Sequence, residues 1–408
     1  MKPESYSYIV NIGYSAARIL GWSFVVLYFL TKGYSNIEIA IFFTLTYLIA
    51  GLVTIFIKKL DNRKNVTLSL LLRILTFALL FVSHIPLYLI ALIFGLFVPQ
   101  FWLPLDILVY GKCKKHNTAT KIGLYSTISP FLSLFVPIIG GYLIKYHGYP
   151  IVFIISILIL ALTLKFSVRL PDKKIQFDIR TALRKTRKTN ILVFFEGMAG
   201  TASMITIPLV TLTFVSTAEG FGIFSAILSL FGIIASLLVA KNSDKSFERA
   251  PYIYLNSILV ALCLVAAAFS SSLLAWTIAV CFMGFFQMIV APLYAAVAFD
   301  NQKNPADTNQ SRHVFLHFGR AVGGCIQAVS LLFNNFTLPL LLSAGITILY
   351  PILLSKLRIY KQSESLTQYL NNRSTNLWRT VAPTLYVIPG KHNDHLFYDC
   401  RYQKTKIK

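Results

Sequence analysis

The chain has 408 residues, 56% of them hydrophobic and only 13% charged, whereas a soluble globular domain carries roughly 25% charged residues. Its 38 Lys and Arg against 15 Asp and Glu give a formal net charge of +23, which by itself would suit nucleic acid. The cations, however, lie in short segments between long apolar runs, as the positive-inside bias of a membrane protein places them, and this distribution excludes a nucleic-acid face.

A membrane-spanning helix needs about twenty mainly apolar residues. In chain order such runs fall near 6–30, 37–57, 66–84, 86–110, 122–144 and 149–167. The first is too long for a signal-peptide core and lacks a cleavage site, so it reads as the first span. Residues 169–189 then interrupt the series with eight Lys or Arg and only Asp172 and Asp178. A second set of runs follows near 190–215, 219–240, 251–270, 272–299, 314–333 and 337–355. The predicted fold is therefore an all-α polytopic membrane protein. It has twelve transmembrane helices in two pseudo-symmetric six-helix halves, 1–168 and 190–355, with a basic cytoplasmic linker at 169–189 and a polar cytoplasmic tail at 356–408.

Loop charge tests that count independently, because alternate loops must fall on opposite sides of the bilayer. The loops after spans 2, 4, 6, 8 and 10 together carry 21 basic residues, and the other side has only Lys32 and Lys145. A span too many or too few in the middle would scramble this alternation, so the charges predict both termini in the cytoplasm and a multi-pass protein of the cell membrane.

Of the five cysteines, Cys263, Cys281 and Cys325 sit inside apolar runs as small hydrophobes, and with Cys113 and Cys400 they form neither CxxC spacing nor a disulfide framework. His392, His395, Asp399 and Cys400 have the residue types of a zinc site, but they stand in a polar tail without an evident scaffold and read as solvated. No metal and no cofactor is expected. The sequon Asn335-Phe336-Thr337 matters only in a eukaryotic source, and the short outer turns fit a bacterial or archaeal membrane.

Several local features bear on the family. The loop after span 2 reads Lys58-Lys59-Leu60-Asp61-Asn62-Arg63-Lys64, and its counterpart in the second half reads Lys241-Asn242-Ser243-Asp244-Lys245. Span 5 contains Pro137-Ile138-Ile139-Gly140-Gly141-Tyr142-Leu143. Span 4 has Phe94-Gly95 with Pro104-Leu105, echoed in span 10 by Gly284-Phe285 with Pro292-Leu293. With two six-helix sets around a basic linker, this chain resembles the major facilitator superfamily. Asp61, Arg63 and Asp244 match that family's acidic and basic loop signature, whose glycines are missing here. Pro137, Gly140 and Gly141 match its fifth-helix motif, where small residues let helices approach closely and proline bends the moving half; an ordinary packing motif would look the same.

Ionisable groups at membrane depth are costly, so each is a functional candidate. Arg18 lies midway along span 1, with Tyr14 and Trp22 one turn to either side on the same face. Its forked, permanently charged guanidinium suits a substrate carboxylate or phosphate, or alternatively an ion pair or carbonyls of a neighbouring helix. Glu196 in span 7 and Asp106 in span 4 are acidic candidates for proton coupling, since burial raises a carboxyl pKa. Each could instead be a cytoplasmic gate, Glu196 paired with Arg320 and Asp106 paired with Arg73. The resemblance implies that spans 1, 4, 7 and 10 line a cavity, which adds weight to both acids and to the polar residues Asn11, Gln100, Trp102, Gln287 and Tyr294. Those amides bond either a ligand or the next helix. Pro99, Pro104, Pro208 and Pro292 interrupt backbone bonding in spans 4, 7 and 10. His317 in span 11 is either a titrating group or a packed histidine.

No Walker phosphate loop, HExxH or GxSxG is present, so ATP-driven and hydrolytic chemistry are not indicated. The leading expectation is a secondary active transporter of a small solute, working by alternating access, proton-coupled, with an organic anion as substrate. It is expected to be a monomer, on the resemblance alone, with no nucleic-acid partner. Competing readings are multidrug-type efflux of amphiphiles and a non-transporting receptor or scaffold on the same fold. A membrane-embedded lipid enzyme would need Asp, His or Glu clusters at a headgroup-facing end, which the basic loops lack.

Overall fold

The computed structural model describes residues 5–82, 86–110, 125, 127–246, 249–300, 304–333, 335–357 and 359. The chain opens with α1 (Ser5–Ala17), which runs through a π-helical turn (Arg18–Trp22) and on to α2 (Val25–Thr31). Next come α3 (Asn36–Phe56), α4 (Asn62–Leu79), α5 (Leu87–Tyr110), α6 (Val136–His147), α7 (Tyr149–Ser167), the short α8 (Ile179–Lys185) and α9 (Arg187–Ala199). α10 (Thr201–Met204) and α11 (Thr206–Phe214) continue α9 after breaks. They are followed by α12 (Ala218–Ser246), α13 (Arg249–Ala268), α14 (Leu273–Asp300), α15 (Pro305–Leu331) and α16 (Thr337–Lys356).

Among the described residues, ten of these stretches are long and apolar enough to cross a membrane, with α1–α2 and α9–α11 each counted as one. The predicted span near 66–84 corresponds to α4, which carries Arg63, Lys64 and Arg73 and is not among the ten. The predicted span near 122–144 overlaps α6, and of its residues only 122–124 and 126 fall outside the described ones; the basic loop after α5 and the tail with its His392, His395, Asp399 and Cys400 lie outside them.

Helix starts follow local chemistry more than apolarity. Ser35 builds a capping box on α3: its hydroxyl accepts from the Glu38 amide at 3.2 Å, while the Glu38 carboxylate accepts from the Ser35 amide at 2.7 Å. Asp61 caps α4 through the Lys64 amide at 3.1 Å, which starts that helix four residues before the apolar run. Asn304 caps α15 ahead of Pro305, so this helix begins nine residues before the predicted start at 314. Arg312, counted above as a loop cation, therefore belongs to a helix. Between α6 and α7 the chain turns at Gly148, whose φ of 76° is open to glycine and strained for most other residues.

The loop after α3 and the basic linker meet in a small antiparallel ribbon, β1 (Lys59–Asp61) against β2 (Lys174–Gln176), with Leu60 opposite Ile175. Arg63 adds a hydrogen bond from Nε to the Leu170 carbonyl at 3.0 Å. The signature residues Asp61 and Arg63 thus tie the first loop to the linker. Residue 244 lies on α12, and the position of its side chain is outside the described part.

Polarity is distributed as lipid requires. α15 buries Asp307, Asn309, Gln310, Ser311, His313, His317 and Gln327 and turns Val322 and Val329 outward, the latter 56% exposed. α7 leaves Leu158 and Leu162 exposed at 58% and 67%. Water would favour the opposite arrangement. One apolar cluster is built mainly from residues before 171 and another mainly from residues after 190. The helix pairs that join these regions include α3–α15 and α6–α12. On α15, Gln310 donates to the carbonyls of Thr54 at 3.2 Å and Ile57 at 2.9 Å, satisfying the C-terminal end of α3. On α6, a Cβ added to Gly141 would stand 2.6 Å from the Ala218 carbonyl oxygen, and on α12 one added to Gly222 would strike the Pro137 carbonyl. Lys145 and Glu219 pair at 2.9 Å across the same two helices.

Candidate functional site

A cavity of about 580 Å³ lies among α1, its π turn, α3, α5, α9–α11, α14 and α15, within the range of roughly 300–1,000 Å³ typical of small-molecule pockets. Its first wall is the α1 face read from the sequence: Asn11, Tyr14, Arg18 and Trp22 all line it. The π turn from Arg18 to Trp22 inserts an extra residue into the helix, a distortion common at functional sites. Tyr14 is 2% exposed, packed between Phe101 at 4.1 Å and Trp102 at 5.6 Å between ring centres. The Arg18 guanidinium donates to the hydroxyl of Ser129, and Ser129 also faces the cavity.

From α5 come Trp102 and Asp106. Pro99 and Pro104 remove two donors from this helix's hydrogen-bond ladder. Gln100 does not face the cavity: its amide donates back to the Leu96 carbonyl at 3.2 Å. Gln287 and Tyr294 line an adjoining cavity of about 200 Å³, which shares Glu196, Ser203 and Arg320 with the main one. Gln287 accepts from Ser203 at 3.1 Å, and Tyr294 shares a 2.6 Å hydrogen bond with Ser257 and stacks on Tyr350 at 3.7 Å.

Both predicted gate pairs are corrected. Asp106 does not meet Arg73; it bonds His313 Nε2 through Oδ2 at 3.0 Å. Arg73 is fully buried on α4, with its guanidinium 4.0 Å from the centre of the Trp22 ring, 4.5 Å from Phe94 and 4.7 Å from Phe77. Trp22 and Phe94 line the cavity in front of Arg73, and no carboxylate among the described residues pairs with it. Glu196 does not meet Arg320 either. It pairs with Arg312 at 2.5 Å, eight residues earlier on α15, while Arg320 lies 5.0 Å over the ring of Tyr47.

Two residues that the sequence reading missed complete the site. Arg312 and His313 both line the cavity and lie on the N-terminal third of α15, a stretch without large apolar residues that reads as a loop by hydropathy. His313 Nδ1 approaches His317 Nε2 at 3.4 Å. Asp106, His313 and His317 thus form a continuous chain of titratable groups, and His317 Nδ1, buried at its end, has no partner among the described residues. If His313 donates to the carboxylate, its second nitrogen accepts from His317; with His313 charged, both of its nitrogens donate. The available signal was the spacing of His313 and His317, four residues apart on one helical face.

No curated protein sequence matches the chain. Solved structures do, at low identity. The human organic anion transporter MFSD10 (TETRAN) shares 13% identity and a TM-score of 0.67, covering 87% of this chain and 100% of its own. The Escherichia coli fucose:proton symporter FucP shares 14% identity and a TM-score of 0.64, covering 86% and 98%. A POT family transporter solved with 5-aminolevulinic acid shares 11% identity and a TM-score of 0.67, covering 88% and 96%. At these identities the likeness is one of fold, but the sequence profile of the Major Facilitator Superfamily matches residues 7–326, and the chain belongs to that superfamily of multi-pass membrane transporters.

Proposed function

We propose that this protein is a secondary active transporter that carries a small organic anion by alternating access, driven by protons. Twelve spans in two six-helix halves, with both termini in the cytoplasm of a cell-membrane monomer, are the arrangement this reading assumes. The observation that carries it is one cavity holding both a permanent cation, Arg18, and the titratable chain Asp106–His313–His317.

The two parts have separate tasks. Arg18 offers a charged donor on a π-distorted helix, bonded among the described residues to the neutral hydroxyl of Ser129, so an incoming carboxylate or phosphate replaces it with a stronger partner. Asp106 and His313 come from helices 207 residues apart in sequence. If the helices separate, their hydrogen bond breaks and proton affinity changes at both groups, which is what coupling needs. Glu196 with Arg312 forms a second such pair. The organic anion transporter and the proton symporter among the fold relatives are consistent with this reading.

The test has two stages. Thermal unfolding of the purified protein in detergent is measured against an organic-acid library, for the parent and for Arg18→Ala. Ligand binding to the folded state raises its stability, by about 3 kcal/mol at a hundred times Kd. Acids that stabilise the parent and not the variant are then offered to proteoliposomes enclosing a pH dye. Proton movement is expected in the parent and is lost in Asp106→Asn. If cationic or neutral amphiphiles stabilise both proteins equally and no acid does, Arg18 is structural, and the aromatic wall of Trp22, Trp102 and Phe94 favours multidrug efflux.

A further inference from the structure

The charges around the cavity do not balance. Glu196 pairs with Arg312 through Oε1, while its buried Oε2 has no partner among the described residues, and Asp106 is bonded to His313, which offsets its charge only when protonated. Two guanidinium groups remain that have no carboxylate among the described residues. Arg18 donates to the Ser129 hydroxyl, a neutral acceptor that meets only part of its hydrogen-bonding capacity. Arg320 lies over the Tyr47 ring, and its buried Nε has no hydrogen-bond partner. Both side chains line the same cavity.

Arg73 adds to the imbalance from behind the wall. Trp22 and Phe94 stand between it and the cavity, and none of its three guanidinium nitrogens has a hydrogen-bond partner among the described residues. Ring faces attract a cation but do not neutralise it. An arginine cannot shed its proton to escape burial, and an uncompensated cation at membrane depth is costly. Arg18, Arg312 and Arg320 line the cavity and Arg73 stands behind its wall, four cations against the two carboxylates Asp106 and Glu196 among the described residues, and this excess at a space able to hold a small molecule calls for an anionic ligand with more than one charge.

The placement of the two groups sharpens the point. Arg18 stands on the first span and Arg320 on α15, which belong to the two regions that alternating access would move against each other. Resting on the transporter reading given above, we infer that the solute is a dianion, a dicarboxylate or a phosphate monoester, held between Arg18 on one side and Arg320 on the other. Trp22 and Trp102 supply flat apolar surface for its carbon skeleton. A monoanion engages one guanidinium and leaves the other uncompensated. A dianion neutralises both and draws the two regions together.

Binding of defined probes to the purified full-length protein tests this by isothermal titration. The dianions are succinate and glycerol 3-phosphate, and the monoanions are monomethyl succinate and butyrate. At least one dianion is expected to bind about tenfold or more tightly than the monoanions, a difference of roughly 1.4 kcal/mol. Arg320→Gln should remove that advantage while leaving monoanion binding intact, and Arg18→Gln should weaken both classes. Arg320→Lys, which keeps the charge, should retain part of the preference, and elution of Arg320→Gln itself as a single species shows that its lost binding is not lost folding. Succinate alone as the tight probe assigns the site to dicarboxylates; glycerol 3-phosphate alone assigns it to phosphate esters. Equal affinity for dianions and monoanions, with Arg18→Gln weakening both, overturns the two-arginine clamp and leaves a single-anion transporter standing. If no probe of either charge binds the folded parent, the clamp and the organic-anion reading both fall.

Discussion

Arg73 shows how differently one side chain reads before and after folding. Its position on a polar helix invited a carboxylate partner, and the protein gives it a box of aromatic rings, with Phe97 as a fourth at 5.5 Å. A planar, weakly hydrated guanidinium can stack in such a box, whereas a compact ammonium loses its hydration without gaining donors' partners. Arg73→Lys is therefore expected to lower the unfolding temperature, by the equivalent of about 2 kcal/mol. Arg73→Met, which removes the buried charge, should stay within about 1 kcal/mol of the parent or exceed it. Thermal unfolding in detergent decides the order, and a methionine variant less stable than the lysine one refutes this account. The Arg18 face was legible because Asn11, Tyr14, Arg18 and Trp22 repeat at helical spacing. The partners of Asp106 and Glu196 were not, because they come from residues 207 and 116 positions away, and spacing in sequence carries no information about which helix turns toward which.

At the scale of elements, small residues set how closely helices approach. Gly141 and Gly222 face backbone across the α6–α12 contact, and backbone cannot rotate aside as a side chain can. Gly345 on α16 has open space around it and ordinary helical conformation. Gly141→Ala is expected to destabilise the protein by about 2 kcal/mol or more, as overpacking does. Gly345→Ala is expected to be neutral or to stabilise by up to about 1 kcal/mol through helix propensity. Parallel melting curves of the two variants test the contrast, and equal shifts would deny the close approach. The proline and double-glycine motif suggested close helix approach from sequence alone, but not that α12 is the partner. The early start of α15 did not show, since much of its polar first third is satisfied by reaching α3, α5, α8 and α9. The π turn at Arg18–Trp22 likewise left no mark in composition.

For the whole molecule, the alternation of basic and neutral loops predicts which side each loop faces. Lys32 after α2 and Lys173 before β2 are both exposed. In a background with the five native cysteines replaced, Lys32→Cys should react with a membrane-impermeant maleimide in intact cells, and Lys173→Cys should react only after permeabilisation. The reverse pattern would invert the topology, and labelling of both in intact cells would break the span count. Hydropathy and loop charge by themselves determined that this is a polytopic helical membrane protein and which ends of its helices are basic, because lipid solvation and the insertion bias act on each segment separately. The cavity, the Asp106–His313–His317 chain, the Glu196–Arg312 pair and the caged Arg73 were decided only in the tertiary structure. Each depends on which faces of distant helices meet, and within a bilayer that is set by packing and hydrogen bonding between helices, terms that no single segment contains.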